Sequence, residues 1–136
     1  MDEATTRSWH FGQLRRALQA LAIPAQDQVR LFPNWVVKAD ELALDLDHWA
    51  LVVCGNHAEE LSQEQSGRLA DLNERLNAMS RLGAEFQEDL WTEEALSCSP
   101  HWAHVRQLAA DALAAFGWSV ESPPLDPRDR GSTFVR

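Results

Sequence analysis

Apolar residues recur at spacings of three and four along most of this chain, the period of a helix with one buried face. Over Ser8–Leu21 the stripe is Phe11, Leu14, Leu18 and Leu21, with Arg15, Arg16 and Gln19 outside it. Pro24 ends this helix, because a proline pushes the residue before it, Ile23, out of the helical region. Ser62 opens the clearest helix. Ser62 and Gln65 have the spacing of a capping box, Leu61 can staple onto the first turn, and Leu69, Leu72, Leu76 and Met79 form the stripe. Gly83 lies at or just beyond its end. Ser99 caps a last long helix with Pro100 at its first position. Its buried face is Trp102, Val105, Ala109, Ala112, Leu113 and Phe116. Gly117 suits a left-handed terminal position, and Trp118 is expected to fold back onto Leu113.

Between these helices the pattern is less uniform. Residues 24–38 hold Val29, Leu31, Phe32, Trp35, Val36 and Val37. An apolar connector of this kind is expected to tuck against the core as a short helical turn followed by an extended piece. Phe32-Pro33-Asn34 reads as a tight corner. Asp40–Gly55 has two readings. As a helix, Asp40 caps it and Gly55 ends it, with Leu42, Leu46, Trp49 and Val53 on one face. As a strand, Leu42, Leu44 and Leu46 alternate, and 35–46 folds into a small β-hairpin. The helix is favoured, since Asp40-Glu41 is a poor two-residue hairpin turn. Residues 84–91 are ambiguous. Thr92 reads as an N-cap, with Glu93 and Glu94 at the positive end of a short helix reaching Ser97. From 119 to 136 the chain is rich in proline, serine and charge and reads as an extended tail, pinned by Val120, Leu125 or Phe134.

Composition supports an all-α fold. Leucine and alanine number 37, while valine, isoleucine and threonine number 13. A chain of 136 residues suits one domain, expected over 1–118, as a bundle-like array of about four to five helices. The longest apolar run, Trp49–Cys54, is too short to span a membrane. The acidic, polar start of the chain resembles neither a signal nor a transit peptide, and two cysteines imply no disulfide framework. A cytoplasmic location is therefore expected.

Charge changes the picture more than composition does. The formal net charge is −9, and it is unevenly placed. Residues 27–64 hold eight acids against two bases, and residues 85–94 hold five acids and no base. Such a chain should repel nucleic acid and anionic membrane and attract a basic protein. Acidity also serves simply to keep a protein soluble. If the chain folds back as a bundle, the two acidic stretches can sum into one negative face. The candidate partner-binding residues are Glu88, Asp89, Trp91, Glu93 and Glu94, an aromatic anchor with an acidic rim. Trp49 and Trp102, on helical stripes, are expected in the core. Trp9, Trp35, Trp91 and Trp118, at element ends, are expected to close its edges.

No motif for nucleotide binding, metalloprotease chemistry or a serine nucleophile is present. Asp45, Asp47 and His48 have the residue types for acid–base work, but the sequence supplies no nucleophile or oxyanion donor beside them. Cys98, His101 and His104 lie three apart, an incomplete metal-ligand set with no matching pair elsewhere. Cys54 reads as a small hydrophobe. No cofactor and no metal are expected. The first functional reading is a non-enzymatic interaction protein that binds a basic protein partner, with toxin inhibitors and immunity proteins as an analogy of class. The alternatives are a small metal-dependent or acid–base enzyme or ligand binder using His48, His101 and His104, and a structural subunit that forms a homodimer.

Overall fold

The structure is a computed structural model that describes residues 2–124. Six α-helices follow one another: α1 Glu3–Ala22, α2 Ala25–Gln28, α3 Lys38–Asn56, α4 Gln63–Met79, α5 Glu93–Cys98 and α6 Pro100–Phe116. Single 3-10 turns lie at Val29–Leu31, Ala58–Glu60 and Glu88–Trp91. The all-α fold expected from the sequence is the fold observed. The β-hairpin at 35–46 is not formed. Residues 38–56 are continuous helix, and no strand occurs among the described residues. Leu42, Leu46, Trp49 and Val53 bury one helical face, which a strand would have split between two.

Most helix ends follow local chemistry. The Ser62 hydroxyl accepts from Gln65 N at 3.0 Å, and the Gln65 side chain accepts from Ser62 N at 2.9 Å, completing the capping box. The Thr92 hydroxyl accepts from Ala95 N and the Ser99 hydroxyl from His101 N, each at 3.1 Å. Gly117, at φ 75°, ends α6. Trp118 N then donates to Leu113 O at 2.9 Å and Gly117 N to Ala114 O at 3.0 Å, a Schellman ending. The Trp118 ring itself stacks on Phe116, with centroids 4.5 Å apart.

Three boundaries differ from expectation. α1 starts at Glu3 rather than Ser8, because the Asp2 carboxylate accepts from Thr5 N at 2.8 Å and caps it earlier. α3 starts at Lys38, so Asp40 sits in its first turn and is not its cap. Gly55 does not end α3. The helix continues to Asn56, whose side chain donates to Val52 O at 2.8 Å, and Gly117 is the one described glycine with positive φ.

The long helices form a ring. α6 packs closely against α1 and α4, and α1 packs against α3. The fourth side, α3 against α4, makes far fewer contacts, so the ring is open along that seam. The core at its centre includes Leu14, Leu18, Leu46, Leu72, Trp102 and Leu113, all fully buried. Buried Gln28 donates to Ala20 O and Leu21 O at 3.0 and 3.1 Å, satisfying carbonyls at the end of α1 and fixing α2 there. The segment between α4 and α6 is stitched down by one aromatic tip of its own and by an aromatic and a basic tip from α6. Trp91 donates to Met79 O at 2.9 Å, Trp102 to Leu90 O at 2.6 Å and Arg106 to Leu96 O at 2.7 Å. Residues 117–124 leave the bundle without helix, and Arg16 donates to Pro124 O at 2.9 Å. Val120 is exposed, while Leu125 and Phe134, named above as possible pins, lie outside the described residues.

Candidate partner-binding groove

The open seam between α3 and α4 forms a groove of about 460 Å³. From α3 come Asp40, Ala43, Leu44 and Asp47, which share one face through spacings of three and four. From α4 come Asn73, Leu76 and Asn77, which share one face through spacings of three and four, and Ser80 and Arg81 follow just beyond its end. Phe86, Glu88 and Trp91, from the connector beyond α4, complete the wall. That connector is held in place at Gly83. A methyl group there would collide with the carbonyl oxygens of Asn77 and Ala78, and Glu85 N donates to Ala78 O at 2.9 Å.

Two acidic stretches far apart in sequence therefore meet. Asp40 and Asp47 come from the first and Glu88 from the second, and none of the three makes an ion pair among the described residues. Neighbouring atoms crowd the Asp40 carboxyl, and that partial burial raises its pKa. Arg81 is the cation at the groove's edge. The floor is apolar through Ala43, Leu44, Leu76 and Phe86.

The five residues singled out in the sequence divide among different tasks. Glu88 lines the groove, and Trp91 forms part of its wall. Trp91 is half-buried, with its edge against Trp102 at 5.3 Å, so it is chiefly a piece of the fold. Glu93 pairs with the largely buried Lys38 at 2.9 Å and ties α5 to the start of α3. Asp89 and Glu94 are exposed and use their backbone carbonyls to receive the Thr92 and Ser97 hydroxyls. Asp40, Asp47 and Leu44 were not among the residues expected to bind a partner, Asp47 having been named only with Asp45 and His48. Their signal is the spacing 40, 44, 47 on the face of α3 opposite its core stripe.

The histidines considered for chemistry stand apart. His101 Nδ1 is 3.2 Å from the Arg75 guanidinium and 3.7 Å from Glu85, whose ion pair with Arg75 holds the Glu85 carboxyl low. His104 lines a shallow depression beside Glu85, and Cys98 is exposed. His48 lies edge-on to Trp49 on α3, Asp45 is buried at 1% exposure and Asp47 turns outward to the groove. Among the described residues, no three or more His, Cys, Asp or Glu side chains are arranged to hold a metal ion.

A different histidine cluster does form. His10 Nδ1 of α1 lies 3.0 Å from His57 Nε2, and His57 Nδ1 lies 3.2 Å from Glu60, which also pairs with Arg7. Arg7 in turn covers the Phe11 ring at 4.7 Å. Desolvation, then the charge of His57, lowers the His10 pKa. The cluster clasps α1 to the end of α3.

The chain matches no family model, no curated protein and no solved structure. Its function is therefore read from this geometry. Among the described residues, no helix is long and apolar enough to cross a membrane.

Proposed function

We propose that this chain is a non-enzymatic interaction protein that binds a basic protein partner in the groove between α3 and α4. The observation that carries this reading is the meeting of Asp40, Asp47 and Glu88 around one apolar concavity. An apolar floor supplies area to bury, and unpaired acids around it supply attraction at a distance. A cation entering there would meet the partly desolvated Asp40 carboxylate without first breaking an ion pair within the protein. The histidine-based alternatives have no comparable support, since His48 lies on α3 and His101 and His104 lie with Arg75 and Glu85. A cytoplasmic location remains part of the proposal.

The test is affinity capture from source cells with the full chain and with an Asp40→Lys, Asp47→Lys, Glu88→Lys variant. The reading expects a partner of basic isoelectric point that the variant fails to hold, and an association rate that falls steeply with added salt. Acidic or neutral partners, or capture unchanged by the three reversals, would contradict it.

A further inference from the structure

α3 carries a second stripe that the bundle does not use. Asp40, Leu44, Asp47, Leu51 and Cys54 follow one another at spacings of four, three, four and three, and all are exposed. Val37, the N-cap, extends the series by one step. Leu44 is 58% and Leu51 66% exposed, although each is a large apolar residue in the middle of a long helix. The series lies across α3 from Leu42, Leu46, Trp49 and Val53, which pack into the core. Spacings that alternate between three and four are those of a coiled-coil seam, with Val37, Leu44 and Leu51 in one heptad position and Asp40, Asp47 and Cys54 in the other. The groove opens along the first half of this stripe, on the side where α4 stands away from α3.

From this we infer that α3 presents a seat for an amphipathic helix of the basic partner, laid along Val37–Cys54 with its edge in the groove. The inference deepens the proposed function and rests on it. The chemistry of the stripe specifies the occupant. Leu44 and Leu51 call for apolar side chains one heptad apart. Asp40 and Asp47 call for lysine or arginine between them, because an aspartate at a seam position loses hydration that a cation restores. A second copy of α3 does not meet this requirement. In a parallel pair Asp40 and Asp47 would face their own copies, and in an antiparallel pair each would face leucine. The net charge of −9 adds repulsion between copies. An extended basic segment would satisfy the acids but leave the seven-residue spacing of the leucines without a counterpart.

The test uses the full chain and three synthetic peptides of three heptads, about 21 residues each. The first has leucine and lysine alternating at the two seam positions. The second has the same composition with the heptad order scrambled. The third replaces each lysine with glutamate. Binding is read by calorimetry and by the gain of peptide helicity. The heptad peptide should bind at least about tenfold tighter than the scrambled one, a difference worth about 1.4 kcal/mol. Leu44→Asn with Leu51→Asn should remove that preference while leaving the protein's own helical signal unchanged. Asp40→Lys with Asp47→Lys should transfer preference to the glutamate peptide. Equal binding of the heptad and scrambled peptides would overturn the helix seat while leaving the basic-partner reading standing. Binding of neither lysine peptide, or equal binding of the glutamate peptide to the unmodified chain, would overturn both. A dimer in sedimentation that the Leu44→Asn, Leu51→Asn variant abolishes would assign the stripe to a second copy and overturn the inference.

Discussion

Glu60 and Glu85 each meet an arginine and a histidine, whereas Asp40, Asp47 and Glu88 make no ion pair among the described residues. The two sets sit in different parts of the fold. Glu60 belongs to the clasp between α1 and the end of α3, and Glu85 to the junction of α4 and α6. Both carboxyls are held low, chiefly by hydrogen bonds from Arg7 and Arg75. Asp40 is shifted the other way by burial. Glu60 and Glu85 are thus answered within the chain, while Asp40, Asp47 and Glu88 at the open seam, like Glu64, Asp71 and Glu74 elsewhere on the surface, make no ion pair among the described residues.

The largest effects should come from setting the two sides of the seam against each other. Leu72 is fully buried and Leu76 nearly so, and replacing either by alanine should cost about 2–5 kcal/mol in denaturant unfolding. Leu44→Ala, across the groove, should change stability by less than about 0.5 kcal/mol. A comparable loss at Leu44 would mean that its side chain is already packed and the seam is closed. A smaller effect, about 1–3 kcal/mol, is expected for Gly83→Ala, because the added methyl must displace the connector from the Asn77 and Ala78 carbonyls. If that connector sets the groove wall, the same variant should change Trp91 fluorescence. Unchanged stability and emission would show the connector to be loosely held.

The clasp should respond to acid, and the sign follows from its shifts. The His10 pKa is lowered by folding, so its contribution is complete above the unfolded value of about 6.5 and is lost as pH falls below it. At 3.0 Å one of the two facing ring nitrogens must donate and the other accept, so the contact holds one proton between them. Glu60, also lowered, adds a loss only at more acid pH, below the ordinary carboxylate value. Between pH 7.5 and 5.5, thermal midpoints should fall for the unmodified chain and fall less for His10→Gln. Parallel curves would show that the clasp does not titrate in that window. The smallest effect belongs to the groove acids. Asp47→Asn should shift stability by less than about 0.5 kcal/mol in either direction, because no ion pair is lost.

How much of this was legible depends on the distance over which each feature is encoded. Ser62 with Gln65, Thr92, Ser99 with Pro100, and Gly117 with Trp118 are helix ends written within a few residues, and each is found where its chemistry puts it. Asp40 and Gly55 carried equally good local signals and misled. The burial of Leu42, Trp49 and Val53 sustains α3 beyond both, and glycine is tolerated inside a helix held by packing. The alternation of Leu42, Leu44 and Leu46 suggested a strand. In the helix Leu42 and Leu46 face the core while Leu44 turns to the seam, so one run of leucines belongs to two faces. His57 and Glu60 were close enough to be read together, but His10 lies 47 residues away and joins them only through the packing of α1 on α3. The groove was beyond local reading for the same reason. Asp40 and Glu88 meet only once the ring of helices leaves its fourth side open.

The most direct measurement is a backbone amide map of the isotope-labelled full chain titrated with the leucine–lysine heptad peptide. Shifts are expected to concentrate at Asp40, Leu44, Asp47 and Leu51 and at Arg81 and Glu88, with His10, His57 and Glu60 unmoved. Shifts spread evenly over the exposed acids, or centred on the clasp, would contradict the helix seat.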